Sequence, residues 1–162
     1  MSAATILVYL PSAKNASATL ASVAKIAGAD HAHVVGLHLI PDIPVYAEFP
    51  AEVAPEVIER LEKAGTNASN AAKQVFEEQM SLHPGSHEWR CFKASYAAGN
   101  DVIATNARLA DLVVCQKPDD SVQDAWSDFA ETVIMQSGRP LLFLPQAPQV
   151  SIGTHVVIAW NN

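Results

Sequence analysis

The stretch from Ala107 to Pro145, ARLADLVVCQKPDDSVQDAWSDFAETVIMQSGRPLLFLP, constrains this chain more than any other. Two short apolar runs, Leu112-Val113-Val114-Cys115 and Leu141-Leu142-Phe143-Leu144, flank a polar loop and a helical pattern. Each run is strand length and bounded by turn signals, so the pair reads as two parallel strands joined by a crossover helix. Strands apolar at every position belong to a sheet covered on both faces. Ligands of such sheets sit outside the carboxyl end of a strand, before a helix N-terminus, which places the loop from Gln116 to Asp128 where binding is expected.

The rest of the chain repeats this alternation. Thr5 to Leu10 is a central strand stopped by Pro11. Ser12 and Asn15 can cap the helix that follows, which carries Ala16, Leu20, Val23, Ala24 and Ala27 at helical spacing and ends at Gly28. A second strand runs from His33 to Ile40 and stops at Pro41. The proline-rich loop that follows carries Ile43, Val45, Tyr46 and Phe49, apolar side chains that suit a flap or a tuck onto the next helix. The longest helix is expected from Glu52 to about Leu82, with Val53, Val57, Leu61, Ala64, Ala68, Ala71, Val75, Phe76 and Met80 as its packed stripe. Glu88 to Lys93 alternates as a half-buried strand. A loop over 95–100 precedes a helix opened by Asn100 or Asp101. The prediction is an α/β domain: an open, mostly parallel, Rossmann-like sheet of five strands with helices on both faces.

Composition removes several functions. The formal net charge is -7 and no cluster of Lys and Arg stands ready to neutralise phosphates, so nucleic acid is not an expected partner. No run approaches membrane-spanning length, and the N-terminus lacks the basic and apolar regions of a signal peptide. Cys91 and Cys115 both fall in strands and read as buried free thiols of a reducing, cytoplasmic compartment. His31, His33 and His38 do not make a metal site, because strand alternation sends His33 and His38 to opposite faces. No nucleophile, base and acid occur in a catalytic pattern, so no enzyme and no cofactor are expected.

ADLVVCQKPDD and SDFAETVIMQSGRPLLFLP resemble the closing third of the universal stress protein domain, and GNDVIATNARLADLVV follows the scheme of its last strand-helix-strand unit. By order of elements the resemblance covers residues 3–145. It implies the adenine nucleotide alpha hydrolase-like fold and a role in stress survival. In ATP-binding members a strand ends in glycine, and two further glycines and a Ser or Thr follow at set spacing. Those positions fall on Gln116, Asp119, Ser127 and Asp128, and none of the three glycines is present. The Asp that holds the nucleoside in such members falls on Pro11.

Glycine lets backbone N–H groups approach an anion without a Cβ in the way. Here side chains fill that space, and Asp119, Asp120, Asp124 and Asp128 add negative charge, although aspartates at a helix start also serve simply as caps. Like charges at about 4 Å cost roughly 1 kcal/mol even in water. The expectation is a degenerate nucleotide pocket, formed by Pro11, Pro41, Gln116, Asp119, Ser127 and Asp128, that does not hold ATP. The domain would instead act by pairing through the edge formed by Leu141, Leu142, Phe143 and Leu144, with a second universal stress protein domain or with a second copy. The alternative is a small-ligand sensor using the reshaped pocket; an adenine-nucleotide hydrolase ranks last.

One domain is expected over 1–146. Residues 147–162 read as a linker plus the first strand of a second domain, because Val156-Val157-Ile158 repeats Ile6-Leu7-Val8. The competing reading is a strand that joins the edge of the same sheet.

Overall fold

The computed structural model describes residues 4–14, 16–28, 31–42, 55–117, 129–146, 152 and 157–159. Its strands are β1 (Thr5–Tyr9), β2 (His33–Pro41), β3 (His87–Ala94), β4 (Leu112–Gln116) and β5 (Leu141–Leu144). Its helices are α1 (Ala16–Gly28), α2 (Pro55–Met80), α3 (Tyr96–Arg108) and α4 (Phe129–Thr132), the last running on into a π-helical turn over Val133–Ser137. The strands form one sheet in the order β3-β2-β1-β4-β5, and every neighbouring pair is parallel. The predicted α/β architecture is therefore present, with no antiparallel strand among these five.

Alternation along each strand divides the interior into two layers. Ile6, Val8, Val34, Val114 and Leu144 meet Leu20 and Val23 of α1 and Phe76 and Met80 of α2. Leu7, Tyr9, Leu37, Val113 and Cys115 meet Ile103 and Ala107 of α3, Phe129 of α4 and Val133. Burying one such side chain is worth about 1.5–3 kcal/mol, so β1, β2 and β4, buried on both faces, each contribute several such terms. The start of β1 is fixed to β4 by Asp111, whose Oδ2 accepts from the amides of Ala4 at 2.9 Å and Thr5 at 3.0 Å.

Three sequence expectations are corrected. Of the expected α2 stripe Phe76 and Met80 are buried, but their partners on the packed face are Ser69 and Ala72, whereas Val57, Leu61, Ala64, Ala68 and Ala71 are exposed. The two stripes lie about a quarter turn apart on the helix. The buried face of α2 is in its C-terminal half, where the rings of Phe76 and Trp89 meet tilted at 5.4 Å beside Gly36, so position beside the sheet overrides the apolar pattern. Secondly, α3 starts at Tyr96, because the Ser95 hydroxyl caps it by accepting from the Ala98 amide. Thirdly, Cys91 is exposed while Cys115 is buried: β3 is an edge strand with little over it. Of the segment 147–162, residues 152 and 157–159 alone are described, and Val157, Ile158 and Ala159 are exposed.

A Cβ at Gly36 would lie 2.7 Å from Trp89 Cε3 and 2.8 Å from Phe76 Cε2. Gly36→Ala should therefore destabilise the domain by about 1–3 kcal/mol through overpacking, read as a lower urea midpoint at unchanged slope.

Candidate functional site

The chain leaves β1 for α1 in one layer, while α4, after β4, lies in the other. The carboxyl ends of β1 and β4 are therefore the switch point of the sheet, where open α/β folds form a crevice that holds ligands.

Its walls are built by short hydrogen bonds beyond the strands. Leu10 donates its amide to Leu37 O at 2.9 Å, and Leu10 O accepts from His38 Nδ1 at 2.7 Å. Since a carbonyl only accepts, Nδ1 carries the proton. The imidazole of His38 is 2% exposed and stacks on Trp89 with ring centroids 6.0 Å apart. Burial lowers its pKa below the ordinary 6.5, against the opposing effect of the Leu10 carbonyl. His38 thus reads as a neutral clamp on the residue before Pro11. Opposite, the Lys117 amide donates to Leu144 O at 2.8 Å and continues the β4–β5 ladder past Gln116. Tyr9 stacks on Phe129 at 4.5 Å and 15°, which secures α4 against β1.

Of the predicted pocket residues, the fold brings Pro11 and Gln116 to the ends of adjacent strands. Pro11 is exposed. Pro41 ends β2, one strand further out, paired with Ala94. Beyond it, Asp42 and Glu62 hold Lys93 at 3.2 and 2.8 Å. Asp119, Ser127 and Asp128, and the loop from Ile43 to Phe49, lie outside the described residues.

Gln116 is half-buried, and its Nε2 is buried with no hydrogen-bond partner. Thr19, 1% exposed in the first turn of α1, likewise has a hydroxyl without a partner. A buried polar group left unpaired costs about 1–3 kcal/mol, so both atoms are notable. Sequence patterning does not find Thr19, because a threonine on the apolar face of a helix is indistinguishable from a filler residue. The amino end of the sheet behaves differently. A cavity of about 170 Å³ there is lined by Thr5, His33, Arg90, Asn106 and Leu109. Its polar groups are paired: Arg90 donates to Asn106 Oδ1 and Glu88, and Asn106 Nδ2 to Val102 O.

Burial pushes the Cys115 thiol up to about 12, which removes it as a nucleophile. Among the described residues no group of His, Cys, Asp and Glu is arranged to hold a metal ion, and no helix is long and apolar enough to cross a membrane. The predicted interface strand, β5, is at the sheet edge. Leu142 and Leu144 turn into the α1/α2 layer, Leu141 packs in the other, and Phe143 is 41% exposed.

No protein-family model and no curated protein sequence matches this chain. Solved structures do. Universal stress protein UspA from Lactobacillus plantarum aligns at a TM-score of 0.60 and 16% identity, over 86% of this chain and 96% of that one. A universal stress protein family member from Arabidopsis thaliana, with AMP bound, aligns at 0.56 and 13% identity, over 87% and 90%. The universal stress protein from Archaeoglobus fulgidus, in complex with dAMP, aligns at 0.51 and 14% identity, over 88% and 98%. These likenesses establish the fold.

Two outcomes test the electrostatics. Because the folded state holds His38 below its ordinary pKa, the unfolded chain binds the proton first as pH falls. Stability is complete above about pH 6.5 and declines below it. His38→Asn, which keeps a donor for Leu10 O, should flatten that part of the fall in urea midpoint between about pH 7.5 and about 5.5. A disulfide reagent should label one thiol of the native chain, Cys91, quickly, and Cys115 only on unfolding.

Proposed function

We propose that this chain, which has the fold of the universal stress proteins, is a non-catalytic member of that family that acts in the cytoplasm under stress by pairing along β5. The observation that carries the reading is that, among the described residues, β5 has a neighbouring strand on one side alone. β5 is four residues long, has β4 as its neighbour in the sheet, and presents Phe143 at 41% exposure. An edge with free backbone groups and an apolar side chain is stabilised by an equivalent edge brought against it. A second copy supplies that edge by two-fold symmetry, and a second domain of a longer chain would supply it within one molecule. ATP is not part of this reading: Gln116 stands where a backbone cradle needs glycine, and Pro11 offers neither an acidic side chain nor an N–H.

A second reading concerns the crevice, which would hold a small ligand other than ATP and make the domain a sensor. It is favoured by AMP and dAMP in structures of the same fold that cover nearly all of this chain. Pairing and sensing are compatible, since β5 and the crevice are separate surfaces of one sheet.

Sedimentation at micromolar concentration should show a dimer that Phe143→Lys converts to a folded monomer. A wild-type monomer throughout that range overturns pairing between copies. ATP with magnesium should leave thermal unfolding unchanged. A stabilisation of about 2.7 kcal/mol at a hundredfold excess over Kd would restore ATP as the ligand. Mass spectrometry of ligand released from the purified protein tests the sensor, which predicts a single co-purifying compound.

A further inference from the structure

The cavity of about 170 Å³ at the amino end of the sheet lies at the opposite end from the crevice, in the α3 layer, to which Leu7 and Val35 in its floor belong. In the β1–β2 register Thr5 pairs with His33 and Leu7 with Val35, so the floor is a polar row beside an apolar one. Arg90 of β3 and Asn106 and Leu109 from the end of α3 supply the walls. Leu109, 67% exposed, stands at the rim.

A charged group is held in one orientation there. Arg90 Nη1 donates to Asn106 Oδ1 at 2.8 Å, and Nη2 donates to Glu88 Oε1. Asn106 is 7% exposed and is itself fixed, because its Nδ2 donates to Val102 O at 2.8 Å. These bonds use two of the five N–H donors of a guanidinium, so the fork lines the cavity with donors to spare. His33 Nδ1 lies 2.7 Å from Ser86 Oγ, and Nε2 lies 3.7 Å from Glu88 Oε1. Ser86, His33, Glu88, Arg90 and Asn106 thus form one polar chain along this end of the sheet.

We propose that the cavity is a binding site for a short-chain monocarboxylate. The ligand's carboxylate accepts from the Arg90 guanidinium, and its aliphatic tail lies on Leu7, Val35 and Leu109. A planar carboxylate matches the guanidinium fork, and the apolar row gives the tail a surface to bury. The volume is below the roughly 300–1,000 Å³ usual for drug-sized ligands, which limits the occupant to a few carbons. Charge limits it further. Arg90 is the one permanent cation among the lining residues, and Glu88 already shares it, so a second negative charge on the ligand would meet repulsion with nothing to offset it. The site depends neither on pairing along β5 nor on a ligand in the crevice.

The experiment is calorimetric titration of wild type, Arg90→Gln and Leu109→Glu with butyrate, butyramide and inorganic phosphate at neutral pH, with amide chemical shifts recorded at saturation. Wild type should bind one butyrate, more tightly than phosphate, and should not bind butyramide. Shifts should change at Thr5, His33 and Leu109 and stay constant at Leu10 and Gln116. Arg90→Gln, which removes the charge and the fork, should bind butyrate about tenfold or more weakly. Leu109→Glu places a carboxylate at an exposed rim position and should weaken butyrate severalfold, which keeps the test decisive if Arg90→Gln does not fold. Absence of butyrate binding at millimolar concentration overturns the proposal. Equal binding of butyramide, or unchanged affinity in folded Arg90→Gln, overturns the part given to Arg90. Unchanged affinity in Leu109→Glu, or shifts confined to the carboxyl end of the sheet, overturns the placement, and tighter binding of phosphate overturns the monocarboxylate class.

Discussion

Burial of a parallel sheet on both faces is the constraint from which the rest follows. A parallel ladder needs a crossover for every strand, and the crossovers must divide between the two faces if both are to be covered. Val8 and Val114 spend their side chains on the α1/α2 layer while Leu7 and Val113, one residue earlier, spend theirs on the α3/α4 layer. With β1 and β4 adjacent and their helices on opposite sides, a gap between the departing chains is unavoidable. The crevice is a by-product of covering the sheet, and what distinguishes one member of such a fold from another is the side chains left standing there.

Much of this was legible because uninterrupted apolar runs have few alternatives. Ile6-Leu7-Val8 and Leu112-Val113-Val114 are too short for buried helices and too apolar for half-exposed strands, and they form the two central strands observed. The legibility fails where tertiary position outweighs pattern. The stripe through Val57, Leu61 and Ala64 has faultless helical spacing, yet those residues are exposed while Ser69 and Ala72 are buried. Periodicity states that a helix has an apolar face; it does not state which part of the helix has a sheet beneath it. Cys91 fails in the same way, since a strand's own residues do not reveal that it will be an edge. The start of α3 fails for a local reason, a serine cap whose hydrogen bond to Ala98 competes successfully with a later Asn-Asp signal.

The candidate site divides along the same line. That Gln116 and Pro11 depart from a nucleotide-binding pattern is visible in the residues alone, and the fold places them on neighbouring strand ends. That the Gln116 amide is buried and unpaired, that Thr19 shares its layer, and that His38 clamps Leu10 are consequences of three-dimensional neighbours contributed by different elements. Sequence reading found the vacancy left by the glycines; only packing shows what polar groups were put in its place.

The crevice and the β5 edge are also not mechanically separate. Gln116 pairs with Leu144 in the β4–β5 register, and the next bond of that ladder runs from the Lys117 amide to Leu144 O. Leu144 is at once the buried end of β5 and the neighbour of the unpaired amide. β5 is only four residues long, so its order depends on this ladder and on Leu142 and Leu144 keeping their places in the α1/α2 layer. A short edge strand held from one side gains order from anything that covers its other side, which is the physical reason that pairing along β5 would reinforce the same wall of the crevice that Gln116 occupies.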